Sequence, residues 1–245
     1  MKRMLIVLVL LSLVLSACTA VAPAPAAPAA EATAAAEATT EAAGEAAAPA
    51  AEGGNTYVLV PKNLGNPYFD AANTGAQEAA GELGVTVLYQ GSSTADATEQ
   101  IQLINSLIAQ QVKGLAISAN DADALVPVGQ DAMAAGIPVV SWDSAIAPEG
   151  RTLHINQADA EGIGRTQVKM MSDIIGGKGK IAILSATSTA PNQNEWIKWM
   201  EDELSKPEYA DIELVATVYG DDEDEKSYNE MMGLMKTYPD LVGVI

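Results

Sequence analysis

The segment that decides the fold spans residues 56–89 and reads TYVLVPKNLGNPYFDAANTGAQEAAGELGVTVLY. It opens with a short apolar run, Tyr57–Val60, and continues to the pair Asn66-Pro67, which is typical of a helix N-cap and the first helical residue. A glycine then ends the predicted helix, and a second apolar run follows at Val85–Tyr89. A strand, a helix and a strand of these lengths form one βαβ unit with parallel strands.

The same alternation continues along the rest of the chain. Near-continuous apolar runs are typical of strands buried on both faces of a parallel sheet. Between the runs, apolar residues recur at helical spacing, as at Trp196, Met200 and Leu204. The pattern predicts an α/β protein with parallel sheets. Its strands are expected at Tyr57–Val60, Val85–Tyr89, Leu115–Ser118, Pro138–Trp142, Leu153–Ile155, Ile181–Leu184, Ile212–Val218 and Leu241–Ile245.

Charge and composition exclude several classes of function. The 245 residues include 13 Lys and Arg against 32 Asp and Glu, a net charge of −19. Because nucleic-acid binding needs clustered cations, no nucleic-acid partner is expected. With one Cys and one His, a Cys/His zinc site is excluded, and an enzyme of the Ser-His-Asp type would depend on His154 alone. The acidic run Asp221–Glu225 lacks the pattern of a calcium loop and is expected to open the last helix, so we expect no metal or cofactor.

Residues 1–18 are predicted to be a lipoprotein signal peptide. Lys2 and Arg3 precede an apolar run, Met4–Leu15, that is too short to span a bilayer comfortably. The run ends in the letters LSAC, which resemble a bacterial lipobox whose cysteine, here Cys18, is lipidated. An ordinary secretory signal with an incidental cysteine is the alternative.

Residues 19–54 are predicted to be a disordered tether. They are rich in Ala, Pro and Glu, contain no Lys or Arg, and offer almost no large apolar side chain for a core. A coil of this length reaches about 30–36 Å root-mean-square. We therefore expect a globular domain outside the cytoplasmic membrane, anchored to it by lipid at Cys18.

Candidate binding residues follow the predicted strands. Ligands of parallel α/β sheets bind beyond the carboxyl ends of the strands, and the side chains there are amides, aromatics, one lysine and one aspartate. This mixture suits a small polyhydroxylated molecule and lacks a nucleophile–base pair. The candidates for ligand binding are Lys62, Phe69, Asp143, Asn192, Gln193 and Trp196.

Ordinary structural roles remain open for most of these side chains. Lys62 could be a solvated loop lysine, and Asp143 could cap the turn that follows it. Phe69 and Trp196 could be core residues, and Asn192 could be a helix N-cap, alone or in addition to binding. The sequence does not separate these roles.

These residues resemble the type I solute-binding proteins of bacterial ABC sugar importers, over about residues 55–245. The stretch VPKNLGNPYFDAANTGAQEAA is similar to the first strand and helix of that family, and IPVVSWDS to its fourth strand, which delivers an aspartate to the sugar. The rhamnose-binding and autoinducer-2-binding subgroup is the nearest match, on the motifs VPK, WDS, HINQ at His154–Gln157 and NQNEW at Asn192–Trp196.

The resemblance implies two doubly wound parallel-sheet domains, at residues 55–148 and 149–245, joined by a hinge, with the ligand in the cleft. It also implies that further chain follows Ile245, so that the second domain is incomplete here. The expected protein is a monomeric binding subunit and not an enzyme; it captures a small neutral sugar and delivers it to an ABC permease.

One departure from the subgroup concerns the ligand. The autoinducer-2-binding protein carries Asp-Gln where this chain carries Asn192-Gln193. The loss of an anionic acceptor favours rhamnose or another sugar, with autoinducer-2 uptake as the alternative. A surface enzyme on the same fold is a further alternative.

Overall fold

A computed structural model describes residues 55–245. The predicted signal peptide, the predicted tether and Cys18 lie outside these residues. The eight predicted strands and the helices between them are confirmed. The strands are β1 (Thr56–Val60), β2 (Thr86–Tyr89), β3 (Gly114–Ile117), β4 (Val139–Trp142), β5 (Leu153–Ile155), β6 (Gly179–Ser185), β7 (Ile212–Tyr219) and β8 (Leu241–Val244). The helices are α1 (Pro67–Leu83), α2 (Ala97–Ala109), α3 (Val126–Ala134), α4 (Ala160–Ile175), α5 (Pro191–Leu204) and α6 (Asp224–Thr237).

The strands form two parallel sheets. The first has the order β2-β1-β3-β4-β5 and the second the order β7-β6-β8. In each sheet the chain winds first to one side and then to the other, so strand order reverses between β1 and β3 and again between β6 and β8. This is the predicted doubly wound α/β architecture, and each reversal opens a crevice at the carboxyl ends of the strands.

The boundary between the two lobes lies later than residues 148 and 149. β5 pairs in parallel with β4, with Leu153 opposite Val140 and Ile155 opposite Trp142. The first lobe therefore extends through β5, and the chain passes to the second lobe between Ile155 and α4. The segment Pro148–Gly150, where the boundary was expected, is a short 3-10 turn inside the first lobe.

Each lobe has its own apolar core. In the first, β-branched and leucine side chains of β1, β3 and β4 pack against α2 and α3. In the second, Ile181 and Ile183 of β6 pack against Val168 of α4 and Met200 of α5. No helix within residues 55–245 combines the length and the apolar character needed to cross a bilayer.

Helices α4 and α5 pack closely because Gly164 has no side chain. A β-carbon built at Gly164 would lie 2.5 Å from the carbonyl oxygen of Trp196 and 2.7 Å from Cβ of Trp199. Next to it, the Arg165 guanidinium donates to Asp202 at 2.6 Å and to Glu203 at 2.8 Å. These contacts fix the position of α5, whose first two turns carry three of the candidate binding residues.

Replacing Gly164 with alanine is expected to destabilise the protein by about 1–3 kcal/mol, because the added methyl group meets backbone atoms that cannot rotate away. The urea midpoint measures this change. Gly75→Ala is the matched control: Gly75 lies in α1, and a β-carbon there has nothing within 4 Å. It should leave stability unchanged or raise it by about 0.5–1 kcal/mol. Equal midpoints for both variants would contradict a close contact between α4 and α5 at Gly164.

Acid is expected to weaken the contact between α4 and α5. Hydrogen bonds from Lys206 and Arg165 lower the pKa of Glu203 below its ordinary value of 4.5. The stabilisation is therefore present above that value and is lost as pH falls through the lowered pKa. Glu203→Gln should lower stability by about 1 kcal/mol at pH 7, and by less below pH ~4. Urea titrations at both pH values check this, and a constant difference would contradict it.

Candidate functional site

A cavity of about 370 Å³ lies where the carboxyl ends of both sheets meet. Small-molecule pockets commonly measure about 300–1,000 Å³, so the cavity suits a compact ligand. Its lining includes every candidate binding residue, together with four polar residues not among the candidates. The candidates are Lys62, Phe69, Asp143, Asn192, Gln193 and Trp196, and the additional residues are Asn66, Tyr68, Gln157 and Asp222.

Asp143 occupies the centre of the polar wall. It follows β4 with a left-handed backbone (φ 56°), and it is only 7% exposed. Oδ1 accepts hydrogen bonds from the Tyr68 hydroxyl (3.2 Å), Gln157 Nε2 (2.9 Å) and Asn192 Nδ2 (3.1 Å). Oδ2 accepts from the Ser118 hydroxyl at 2.7 Å. These bonds connect β3, β4, α1 and the second lobe through one carboxylate.

The Tyr68 hydroxyl is held as a donor toward Asp143. Partial burial, and then the negative charge of Asp143 and the hydrogen bond to it, raise the pKa of the Tyr68 phenol. The hydroxyl therefore stays protonated at neutral pH. It also accepts a hydrogen bond from Gln157 Nε2 at 3.1 Å, so both residues are oriented at the cavity edge.

A buried amide network positions the backbone that carries Lys62. Gln100 Nε2 donates to the carbonyls of Pro61 (3.0 Å) and Ser118 (2.7 Å), and its Oε1 accepts from Asn120 N at 3.0 Å. Asn120 Nδ2 in turn donates to the Lys62 carbonyl at 2.9 Å. The ends of β1 and β3 are thereby held together by α2.

Lys62 is not a solvated loop lysine. It is 4% exposed, and its Nζ lies 5.9 Å from the centroid of the Phe69 ring. The same Nζ lies 3.6 Å from Asp222 Oδ2, across the cleft. The ammonium is therefore shielded from solvent and directed into the cavity, where it can donate to a ligand.

The aromatic candidates combine packing with cavity lining. Phe69 is 1% exposed and makes edge contacts with Tyr68 (5.2 Å between centroids) and Trp142 (5.8 Å). Trp196 is half-buried; it packs against the core of the second lobe and also faces the cavity. Phe69 and Trp196 therefore both pack against neighbouring side chains and line the cavity.

Asn192 and Gln193 come from the first turn of α5. The helix begins at Pro191 with Ala190 as its N-cap, so Asn192 is not the N-cap. Its side chain is free to bridge to Asp143 in the other lobe. Gln193 Oε1 accepts from the Ser185 hydroxyl and the Ala186 amide, each at 2.7 Å, which anchors the side chain to the end of β6.

The two lobes are closed around the cavity by polar contacts. Besides the Asn192–Asp143 bond and the Lys62–Asp222 pair, the Thr189 hydroxyl donates to the Asn120 carbonyl at 2.9 Å. The side chains that line the cavity thus come from both lobes. Closure of this kind excludes water and strengthens each polar contact with a bound molecule.

A smaller cavity of about 220 Å³ adjoins the first, and Arg151 and His154 line it. His154 Nδ1 and the Ser141 hydroxyl lie 2.9 Å apart, and Arg151 donates to the same hydroxyl at 3.2 Å. His154 therefore has a structural role at the rim of the site. Within residues 55–245, no group of three or more His, Cys, Asp or Glu side chains is arranged to hold a metal.

Sequence reasoning missed Asn66, Tyr68, Gln157 and Asp222 as cavity residues. The first three lie within motifs that marked the family resemblance, so a signal was present for them. Asp222 belongs to the acidic run that was expected to open the last helix. α6 begins only at Asp224, which leaves Asp222 in the preceding loop. That placement depends on where the helix starts, and the run of carboxylates does not reveal it.

Comparison with known proteins identifies the family. The sequence profile of the periplasmic binding protein domain matches residues 57–245. The chain belongs to this family. The members of this family are binding proteins, which is the class that the sequence resemblance predicted. Membership implies an extracytoplasmic location. The relatives are described as solute-binding proteins and not as enzymes.

Several relatives have known ligands. An ABC transporter solute-binding protein from Clostridium phytofermentas, solved with bound L-rhamnose, is 35% identical, with a TM-score of 0.76 over 78% of this chain and 60% of its own. LsrB from Clostridium saccharobutylicum, solved in complex with AI-2, is 26% identical, with a TM-score of 0.74 over 77% of this chain and 61% of its own.

A curated relative extends the range of ligands. The D-apiose import binding protein of Actinobacillus succinogenes is 26% identical over 196 residues, which are 80% of this chain and 62% of the relative. The chain thus spans about three fifths of the length of each of these three relatives.

Proposed function

We propose that this protein is the solute-binding subunit of an ABC importer and that it captures a small neutral sugar in the 370 Å³ cavity between its lobes. The observation that carries the proposal is the convergence of all the candidate side chains on that one cavity. The family and the sugar-binding relatives support the same function.

The lining matches the chemistry of a polyol. A sugar hydroxyl donates one hydrogen bond and accepts two. The Asn192 amide can offer both kinds of partner, and Gln193 Nε2 can donate, because Gln193 Oε1 is already engaged by the end of β6. Lys62 donates from a shielded position, and charged donors give stronger bonds than neutral ones. In the closed cavity an unmatched hydroxyl costs about 1–3 kcal/mol, which gives selectivity among stereoisomers.

Asp143 binds the sugar by accepting a hydrogen bond from a sugar hydroxyl in place of one from a protein donor. Its oxygens are engaged by protein donors, among them the amides of Gln157 and Asn192. A sugar hydroxyl can replace one of these amides, which then turns to another hydroxyl. The carboxylate thereby couples ligand binding to the contact between the lobes.

The proposed ligand is L-rhamnose or a sugar similar to it. The motifs VPK, WDS and NQNEW support it, as does the likeness to the rhamnose-bound relative. Asn192 stands where the autoinducer-2-binding protein carries an aspartate, and the loss of that anionic acceptor supports a sugar over autoinducer-2; here the Asn192 amide donates to Asp143 instead. An aspartate at the same position would place two carboxylates against each other and change the donors that a ligand must supply.

The protein is proposed to act as a monomer outside the cytoplasmic membrane, held by a lipid on Cys18 and a tether over residues 19–54. Its proposed partner is the permease of the importer. The basis for the anchor is the sequence around Cys18 and the single occurrence of cysteine in the chain.

Calorimetric titration tests the proposed ligand. L-rhamnose, other deoxy and plain sugars, and autoinducer-2 are titrated separately into the purified protein. We expect saturable binding of one sugar molecule per chain, strongest for L-rhamnose. Tighter binding of autoinducer-2 would support the uptake receptor instead, and no binding by any of these compounds would contradict the proposal.

A further inference from the structure

The loop after β7 places Asp222 in the wall of the cavity. Asp221 and Asp222 both adopt left-handed backbone conformations, with φ of 55° and 58°. Aspartate tolerates this region better than most residues do. The amides of Gly220 and Asp221 donate to the carbonyls of Ser185 (2.8 Å) and Ala186 (3.0 Å). The loop is thereby anchored to the end of β6, and Asp222 is held facing the first lobe.

The Asp222 carboxylate is incompletely satisfied there. Its side chain is 16% exposed, and Oδ2 is shielded from solvent with no hydrogen-bond partner among residues 55–245. The ammonium of Lys62 faces it at 3.6 Å, which is longer than the roughly 2.7–2.9 Å of a charge-assisted hydrogen bond. A shielded acceptor without a donor is costly, and a donor supplied by a ligand would remove that cost.

Asp143 has less capacity left for a ligand. A carboxylate offers about four lone-pair sites. Side-chain donors of Tyr68, Ser118, Gln157 and Asn192 already engage its oxygens. A ligand hydroxyl at Asp143 meets oxygens that already accept hydrogen bonds from the protein, three of them at Oδ1, whereas at Asp222 Oδ2 no hydrogen bond has to be broken.

We infer that Asp222 is a second ligand-binding carboxylate, an assignment that rests on the proposed function. A sugar hydroxyl donates to Asp222 Oδ2 and accepts a hydrogen bond from Lys62 Nζ. A hydroxyl fits both neighbours because it can donate to the carboxylate, which only accepts, and accept from the ammonium, which only donates. Since Lys62 belongs to the first lobe and Asp222 to the second, this hydroxyl bridges the cleft. A sugar that lacks it, or carries an ether oxygen in its place, is discriminated against.

The first test compares calorimetric titrations of L-rhamnose into the wild-type protein and two variants. Asp222→Asn preserves the size of the side chain and removes the anionic acceptor. We expect its dissociation constant to rise about ten- to a hundredfold, the usual effect of a hydrogen bond to a charged group. Glu225→Gln is the charge-matched control, because Glu225 is exposed on the first turn of α6 and lines neither cavity. Its affinity should equal that of the wild type.

Monodeoxy analogues of rhamnose separate ligand binding from a structural role. The analogue that lacks the bridging hydroxyl should bind the wild type weakly and lose nothing further in Asp222→Asn. Equal losses for L-rhamnose and every analogue, or unchanged affinity of the variant for L-rhamnose, would overturn the assignment and leave the proposed function standing. No sugar binding by the wild type would overturn the proposed function itself and this assignment with it.

Discussion

Replacing Asp143 with asparagine is expected to weaken binding of L-rhamnose by about a hundredfold or more, equivalent to about 3 kcal/mol. The carboxylate accepts hydrogen bonds from both lobes and lies 7% exposed at the centre of the cavity wall. The asparagine side chain would turn its NH₂ group, a hydrogen-bond donor, toward side chains that are themselves donors. Calorimetric titration measures the change.

The control for Asp143→Asn is Asp131→Asn. Asp131 is exposed on α3, lines neither the large nor the adjoining cavity, and should leave the dissociation constant unchanged. The urea midpoints of both variants report whether folding is preserved. If folded Asp143→Asn bound the sugar as tightly as the wild type, Asp143 would not be part of the binding site.

Replacing Asn192 with aspartate should weaken sugar binding by about thirty- to a hundredfold at pH 8. The new carboxylate would stand where an amide now donates to Asp143 Oδ1 at 3.1 Å. Two carboxylates at such a distance repel, and the pair retains a proton at higher pH than a lone carboxyl does. Protonation restores one donor, so affinity should recover in part as pH falls from 8 to 5.

Asn192→Ala is the matched control for this pH dependence. It removes the donor to Asp143 without adding a charge, so its affinity should fall but should not recover at pH 5. Titrations of L-rhamnose at pH 5 and pH 8 compare the two variants directly. A pH-independent Asn192→Asp variant, or one that binds as tightly as the wild type at pH 8, would show that Asn192 does not face Asp143 in the complex.

The secondary structure can be predicted from the sequence because its signals are local. Apolar runs buried on both faces, the Asn66-Pro67 start of α1 and the glycine stop at Gly84 depend only on neighbouring residues. The boundary between the two lobes, by contrast, is not set by neighbouring residues in the sequence. β5 is a three-residue strand whose sheet is decided by its pairing with β4, and no property of Leu153–Ile155 specifies that partner.

The site can be predicted to the extent that topology dictates it. Parallel strands bring their carboxyl ends together, so the order of strands and helices along the chain is enough to group Lys62, Asp143 and Asn192. Asp222 cannot be assigned in this way. Its role depends on a loop conformation and on a 3.6 Å approach to Lys62 in the other lobe, and both are properties of the folded chain.

A crystal structure of the protein with L-rhamnose would test most directly whether the cavity between the lobes is a sugar site. We expect one sugar molecule in the 370 Å³ cavity, with hydroxyls within hydrogen-bond distance of Lys62, Asp143 and Asn192. Sugar bound on another surface at saturating concentration, with this cavity unchanged, would contradict the proposed function.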